Sequence, residues 1–310
     1  MQSIRRKIYC DFCQKAGLPI FVHDWYLDMV CREGIWDFVL VEEEGEILGV
    51  LPYFLKKKFG FRYIAMPVGA KYMGPFLLPA KDNLTEQHLI YAKLIAQLPK
   101  VHSFRQNFDP RVSNWLPFYW EGFQQTTKYT YRLAIENLPE TYQNFSKKTR
   151  AKIRKATKTL TIIDTLTAAQ FHDIHQMTFD RQGLQTPLSK DKFLAFDKTL
   201  AEKKARKMFF AVDEAKNIHA VFYIILDKNI AYMHFLGSNP NFTKSEAVML
   251  LYWHIFQYVN EKCGIHLIDF QGSMIKNVES LFRRFQAVQV PYFSIVKENS
   301  KVFSFIRGVK

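Results

Sequence analysis

Seven Lys or Arg side chains occupy the sixteen positions of NFSKKTRAKIRKATKT, residues 144–159, and no acid stands among them. Just upstream, Asn137, Pro139 and Glu140 predict a helix start, because an Asn cap satisfies an orphan amide and Pro removes one. On a helix running from there, Tyr142, Phe145, Thr149, Ile153, Ala156 and Leu160 fall within roughly 80° and form an apolar stripe. Lys147, Lys148, Arg150, Lys152, Arg154, Lys155 and Lys158 share the remaining arc. Like charges one turn apart repel by roughly 0.3 kcal/mol per pair, and no acid relieves them. Two readings stand: a solvated face, or an arc whose Arg150 and Arg154 hold an anion.

Two further stretches could do chemistry. In GSNPNFTKS, residues 237–245, a strand delivers a loop to a helix start, where free amides and the helix dipole attract anions; Lys244 stands beside it. IDFQGS, residues 268–273, closes a strand with Asp269, Gly272 and Ser273. A carboxylate there can accept a proton or orient an amine, and glycine lets a ligand approach the backbone. An Asp capping its own turn accounts for the same residues equally well.

Other chemistries lack their residues. No nucleophile elbow, P-loop, H-E-x-x-H or dinucleotide G-x-G-x-x-G occurs. His172 and His175 are three apart without a carboxylate set, and the C-x-x-C of Cys10 and Cys13 has no second pair, so no metal site is expected. Four cysteines in 310 residues predict reduced thiols rather than a disulfide framework. Tyr252 and His254 lie on a helix that is apolar almost all round, and they read as core residues.

These residues need positioning elements. In the first half the pattern predicts a helix over 23–34, and a hairpin over 35–58 with a longer loop around EEEGE. A strand and a Pro/Gly-punctuated loop over 61–79 follow, then a helix over 83–99 capped at Asn83 or Thr85, and a strand over 101–110. From residue 128 the order reads β-α-β-α-α-β-β-β-α-β-α-β. The fold class is α/β, with a mixed sheet of α+β character and helices on its faces. Two domains are expected, 1–127 and 128–310.

Hydrophobic residues make up 48% of the chain and aromatics 15%, enough for a sizeable core. The net charge of +14 is uneven: residues 1–127 hold 15 Lys/Arg against 13 Asp/Glu, and the rest hold 28 against 16. The second half therefore favours an anionic partner: nucleic acid, a phosphorylated small molecule or a membrane surface. The first residues lack an apolar h-region, and no run of eighteen apolar residues occurs, so a cytoplasmic location without a transmembrane segment is expected.

SKKTRAKIRKA (146–156), YMHFLGSNP leading into an apolar helix, GIHLIDFQGS and VESLFRRFQAVQVPYF together resemble the GNAT acyltransferases, and within them the Fem-type (FemABX) and BioF2-like branch. LPYFLKKKFG and MPVGAKYMGP resemble the loop of that branch's first domain. The resemblance implies two tandem GNAT-like domains, the first on the acceptor side and the second on the acyl-donor side. It implies transfer of an acyl or aminoacyl group to an amine of an anionic small-molecule acceptor such as a bacterial cell-wall precursor or polysaccharide intermediate. Aminoacyl-tRNA or acyl-CoA would be the co-substrate. Arg150, Arg154 and Lys155 would hold anionic groups, Asp269 and Ser273 would line the acceptor site as catalytic residues, and Tyr72 and Gly74 would face the same cleft. The Q/R-x-x-G-x-G/A phosphate loop of ordinary GNAT enzymes is replaced by NPNFTKSEA, Gln286 stands where glycine is common, and Gln271 where an acid is frequent. A non-catalytic RNA- or polyanion-binding or structural protein on the same scaffold is the alternative.

Overall fold

The computed structural model describes residues 2–306, with side chains from Ile4 onward. The chain forms two compact units: Met1–Lys128 together with Pro291–Lys310, and Tyr129–Val290. Residues 291–310, grouped with the second half by the sequence pattern, thus return to the first unit.

Unit 1 opens with α1 (Gln2–Lys15) and α2 (Asp24–Val30). The hairpin of β1 (Ile35–Glu43) and β2 (Glu46–Lys58) turns at Glu44 and Gly45. Both have positive φ, 51° and 80°, the signature of a two-residue type I′ turn, so the longer loop expected at EEEGE is a tight one. β3 (Phe61–Ala65), β4 (Phe76–Leu77), α3 (Leu84–Ala96), β5 (Ser103–Asn107) and α4 (Leu116–Trp120) follow. Asn83 caps α3 by accepting from the Glu86 amide at 3.2 Å.

β6 (Gln124–Ala134) leads into unit 2. The basic segment is not one helix with its upstream cap. α5 (Leu138–Asn144), capped by Asn137, ends at Phe145, whose ψ of 148° is extended; α6 (Lys147–Thr157) restarts with Ser146 accepting from the Thr149 amide. A fresh cap overrode the continuous stripe, and Phe145 is buried in the break against Trp253 and Phe285. Then come β7 (Thr161–Ile163), α7 (Ala168–Asp180), α8 (Lys190–Glu202), β8 (Arg206–Val212), β9 (Ile218–Leu226), β10 (Ala231–Ser238), α9 (Ala247–Cys263), β11 (Leu267–Asp269) and α10 (Lys276–Arg283). The strand order is β6-β11-β10-β9-β8-β7, antiparallel except for β10 with β11. β9 is buried on both faces: Phe222 meets Tyr252 of α9, and Tyr223 meets Phe171 of α7. That is why VFYII is a continuous apolar run instead of an alternating one. Tyr252 is buried in the core as expected, while His254 is half-buried and rests edge-on against Phe209.

β12 (Val288–Glu298) and α11 (Lys301–Ile306) end the described chain. Ser294–Glu298 pair antiparallel with Asn107–Ser103 of β5, completing the unit 1 order β1-β2-β3-β5-β12, with β4 on β2. No helix among the described residues is long and apolar enough to cross a membrane.

Candidate active site

The parallel strands β10 and β11 pair at Ala231↔Ile268 and Tyr232↔Asp269, and their ladder stops there. Immediately beyond, β10 carries a bulge. Against β9, Met233 pairs with Ile224 and Phe235 with Tyr223, leaving His234 as the extra residue. The His234 Nδ1 lies 3.0 Å from the amide oxygen of Gln271, the second residue past β11. This contact makes Nδ1 the donor, so the neutral ring carries its lone pair on Nε2. The ring stacks on Phe196, centroids 5.6 Å apart and planes at 11°. A strand pair that opens, a bulge and an oriented imidazole thus converge at one point.

Asp269 is fully buried beside this opening. Its oxygens accept from the Thr130 hydroxyl at 2.5 Å, the Arg132 Nε at 3.1 Å and the Gln271 amide at 2.7 Å. Complete burial raises its carboxyl above the ordinary range, against the opposing pull of Arg132, Thr130 and that amide. Asp269 therefore ties β6, β11 and the Gln271 turn together, and it shapes the opening without access to solvent. Gln271 and Gly272 both have positive φ, 57° and 60°, and a Cβ at Gly272 would sit 2.0 Å from the Tyr129 carbonyl oxygen. Glycine is required there by contact as well as conformation. Ser273 is half-buried and accepts from the Ile275 amide at 3.0 Å.

The basic helix meets the start of α9. Lys152 pairs with Glu246, the αL residue that precedes α9, and the Lys155 ammonium donates to the Lys244 carbonyl at 3.0 Å. The structure thus brings Lys155 and Lys244 together. At this helix start a cavity of about 220 Å³ is lined by His219, Ser238, Asn239, Phe242, Ser245 and Ala247. His219 stacks on Phe242, centroids 4.0 Å apart, and its Nε2 lies 3.0 Å from Asp213. The hydrogen bonds from Asn217 and His219 hold the Asp213 carboxyl down to about 2. His219 Nδ1 is buried and has no hydrogen-bond partner among the described residues.

Arg150 donates to Gln143 at 2.6 Å, on the α5 side of its helix, and Arg154 is exposed. In unit 1, Tyr72 is fully buried with its ring against Phe21 and Tyr292. Gly74 has φ 118°, and a Cβ there would lie 2.8 Å from the Phe108 ring. His234, Gln271, Glu246 and His219 were not singled out by sequence as site residues. Only the motif YMHFLGSNP contained a hint, because a His inside an apolar strand needs a reason to be there. The Cys10 and Cys13 thiols are pushed up to about 11 and about 12, chiefly by burial, away from reactivity. Among the described residues, no group of three His, Cys, Asp or Glu could hold a metal ion.

Residues 143–274, less than half the chain but the whole of this geometry from α6 through the Gln271 turn, match the Acetyltransferase (GNAT) domain family. That segment is thus similar to the GNAT acetyltransferases, a class of transferase. Its structure is similar to that of FemX over 97% of this chain and 98% of the other, with a TM-score of 0.73 at 13% identity. It is also similar to a tandem GNAT protein from the clavulanic acid biosynthesis pathway (TM-score 0.58, 10% identity, 96% of each chain). L-PGS from Bacillus licheniformis is a third neighbour (TM-score 0.56, 11% identity, 98% of this chain and 95% of that one). At these identities the likeness is one of fold, and that fold is the tandem GNAT arrangement. No curated protein matches the sequence.

Proposed function

We propose that this protein transfers an acyl or aminoacyl group to the amine of an anionic acceptor, with the bond made at the opening between β10 and β11. The observation that carries this reading is the His234 bulge set where the parallel ladder ends, its Nδ1 held by Gln271. Acyl transfer needs a neutral amine, a donor to the developing oxyanion and an acceptor for the amine's proton. A bulged main chain turns an amide out of the ladder, which supplies the oxyanion donor. The Nε2 lone pair of His234 takes the proton as the amine attacks the acyl carbonyl; the thiolate or alkoxide leaves with the electron pair of the broken thioester or ester bond and is protonated by the imidazolium, which restores neutral His234. The donor's phosphates fit the α9 start, where helix amides, Lys244, Lys155 and the buried His219 Nδ1 gather. Acyl-CoA and aminoacyl-tRNA both carry phosphates of this kind, and both are names the reading allows for the donor.

The test is a thermal-shift panel of acyl-CoAs, CoA, UDP-sugars and aminoacyl-tRNA mimics, since a ligand in excess over its dissociation constant raises apparent stability. At least one donor class should stabilise the protein, and Lys155→Gln with Lys244→Gln should weaken it. His234→Ala should leave donor binding intact and lower turnover by about 100-fold or more. Absence of any donor binding, or full turnover in His234→Ala, would sink the reading.

A further inference from the structure

Among the described residues of unit 1, Arg105 and Lys128 have no carboxylate within ion-pair distance. Arg105 lies on β5 between Ser103 and Asn107, and alternate residues of a strand share one face. Lys128 reaches this face: its ammonium lies 3.5 Å from Asn107 Oδ1, one side-chain step along the strand from Arg105. Burial, and after it the charge of Arg105, lower the Lys128 ammonium below the usual lysine range. The Arg105 Nε is buried and has no hydrogen-bond partner among the described residues. Register sets Val296 of β12 opposite Arg105, Ser294 opposite Asn107 and Glu298 opposite Ser103. Glu298 is the carboxylate this register brings to the face, and it is taken up by the hydroxyls of Ser103 and Ser304, each at 2.9 Å. Two half-buried cations side by side, with no carboxylate paired to either among the described residues, repel each other, and a bound anion would offset that repulsion.

We propose that Arg105, Lys128 and Asn107 form a binding site for a phosphate group, specifically a phosphate monoester or pyrophosphate of the substrate. Charge and shape select this chemistry. Two cations match a dianion, whereas a carboxylate neutralises only one of the two half-buried charges. A guanidinium forks onto two oxygens, an ammonium takes a third as a point charge, and the Asn107 amide can donate from Nδ2. The site rests on the acyl-transfer reading only in assigning this phosphate to the acceptor. The binding itself does not depend on it.

The experiment is a calorimetric titration of the full chain with inorganic pyrophosphate, and with acetate at matched ionic strength. Arg105→Gln, Lys128→Gln and, as a control in the exposed β9–β10 turn, Lys228→Gln are run in parallel after their urea midpoints confirm folding. Pyrophosphate should bind the wild type and acetate should not. Arg105→Gln and Lys128→Gln should each lose about ten-fold or more in affinity, with Lys228→Gln unchanged. Equal binding of acetate and pyrophosphate overturns the proposal. So does wild-type affinity in both unit 1 variants, or an equal loss in Lys228→Gln. Should one of the two variants fail to fold, the other decides alone, and the Arg105→Lys variant replaces the lost arm by keeping charge without the fork. Turnover that survives in His234→Ala would defeat the catalytic reading while leaving these binding results standing.

Discussion

The Lys152 ammonium lies 2.8 and 2.7 Å from the two carboxylate oxygens of Glu246, joining the basic helix to the residue that precedes α9. An acid at a helix start is favoured by the dipole, yet here it occupies the place an anionic ligand would want. Each side chain is about a quarter exposed, so the pair is screened only in part.

Glu246→Gln should therefore strengthen binding of a phosphate-bearing donor. Removing the carboxylate frees Lys152 and ends a like-charge repulsion, so the dissociation constant for CoA should fall about three- to ten-fold. Calorimetry on the variant decides it: weaker or unchanged binding means the α9 start takes no phosphate.

Gly272→Ala should destabilise unit 2 by about 3 kcal/mol. The new Cβ would meet the Tyr129 carbonyl oxygen at 2.0 Å and Thr130 Cα at 2.6 Å, both backbone atoms that cannot swing aside. Urea denaturation measures the loss, and a change under about 1 kcal/mol would mean the turn relocates freely.

Gln286→Gly should act in the opposite sense. Gln286 has φ 59°, where a side chain costs about 1 kcal/mol, and its amide makes only a 3.4 Å bond to the Arg283 carbonyl. A gain of up to about 1 kcal/mol is expected in the same assay. A clear loss would assign the Gln286 side chain a role of its own.

His175 should make stability fall in mild acid. Its ring is enclosed by Phe171, Phe179 and Phe235, and burial first, then His172, presses it from 6.5 to about 4. Between those values the unfolded chain binds a proton that the folded one refuses. The contribution is therefore complete above pH 6.5 and lost as the pH falls toward 4, by up to about 3 kcal/mol. Urea midpoints for the wild type and His175→Phe, compared across this window, should diverge; parallel curves would refute the assignment.

Much of the fold was legible because its signals are local. Asn83 and Asn137 cap where they stand, and the succession of helices and strands along unit 2 follows from apolar runs and turns. Ser146 shows the limit: its capping bond to Thr149 competes with a stripe that continues past it, and only packing of Phe145 decides between them. The site was less legible. Asp269 and Lys244 stood out by type, but burial turned the first into a brace. His234 stands at a bulge, whose place depends on pairing with β9, so β10 itself marks it only as a His inside an apolar strand. Glu246 and Lys152 are 94 residues apart in sequence, beyond the reach of any spacing rule.

The pairing of Ser294–Glu298 with β5 has a consequence for how the molecule is made. Until those residues leave the ribosome, β5 presents Ser103–Asn107 as an open edge, with Arg105 at its middle. Unit 2, whose residues are contiguous, can close first; unit 1 must wait through its synthesis for a final strand. The edge-on partner arrives last, so the slowest event in folding should be the capture of β12. During that interval the charge of Arg105 acts as a gatekeeper against pairing with a neighbouring nascent chain.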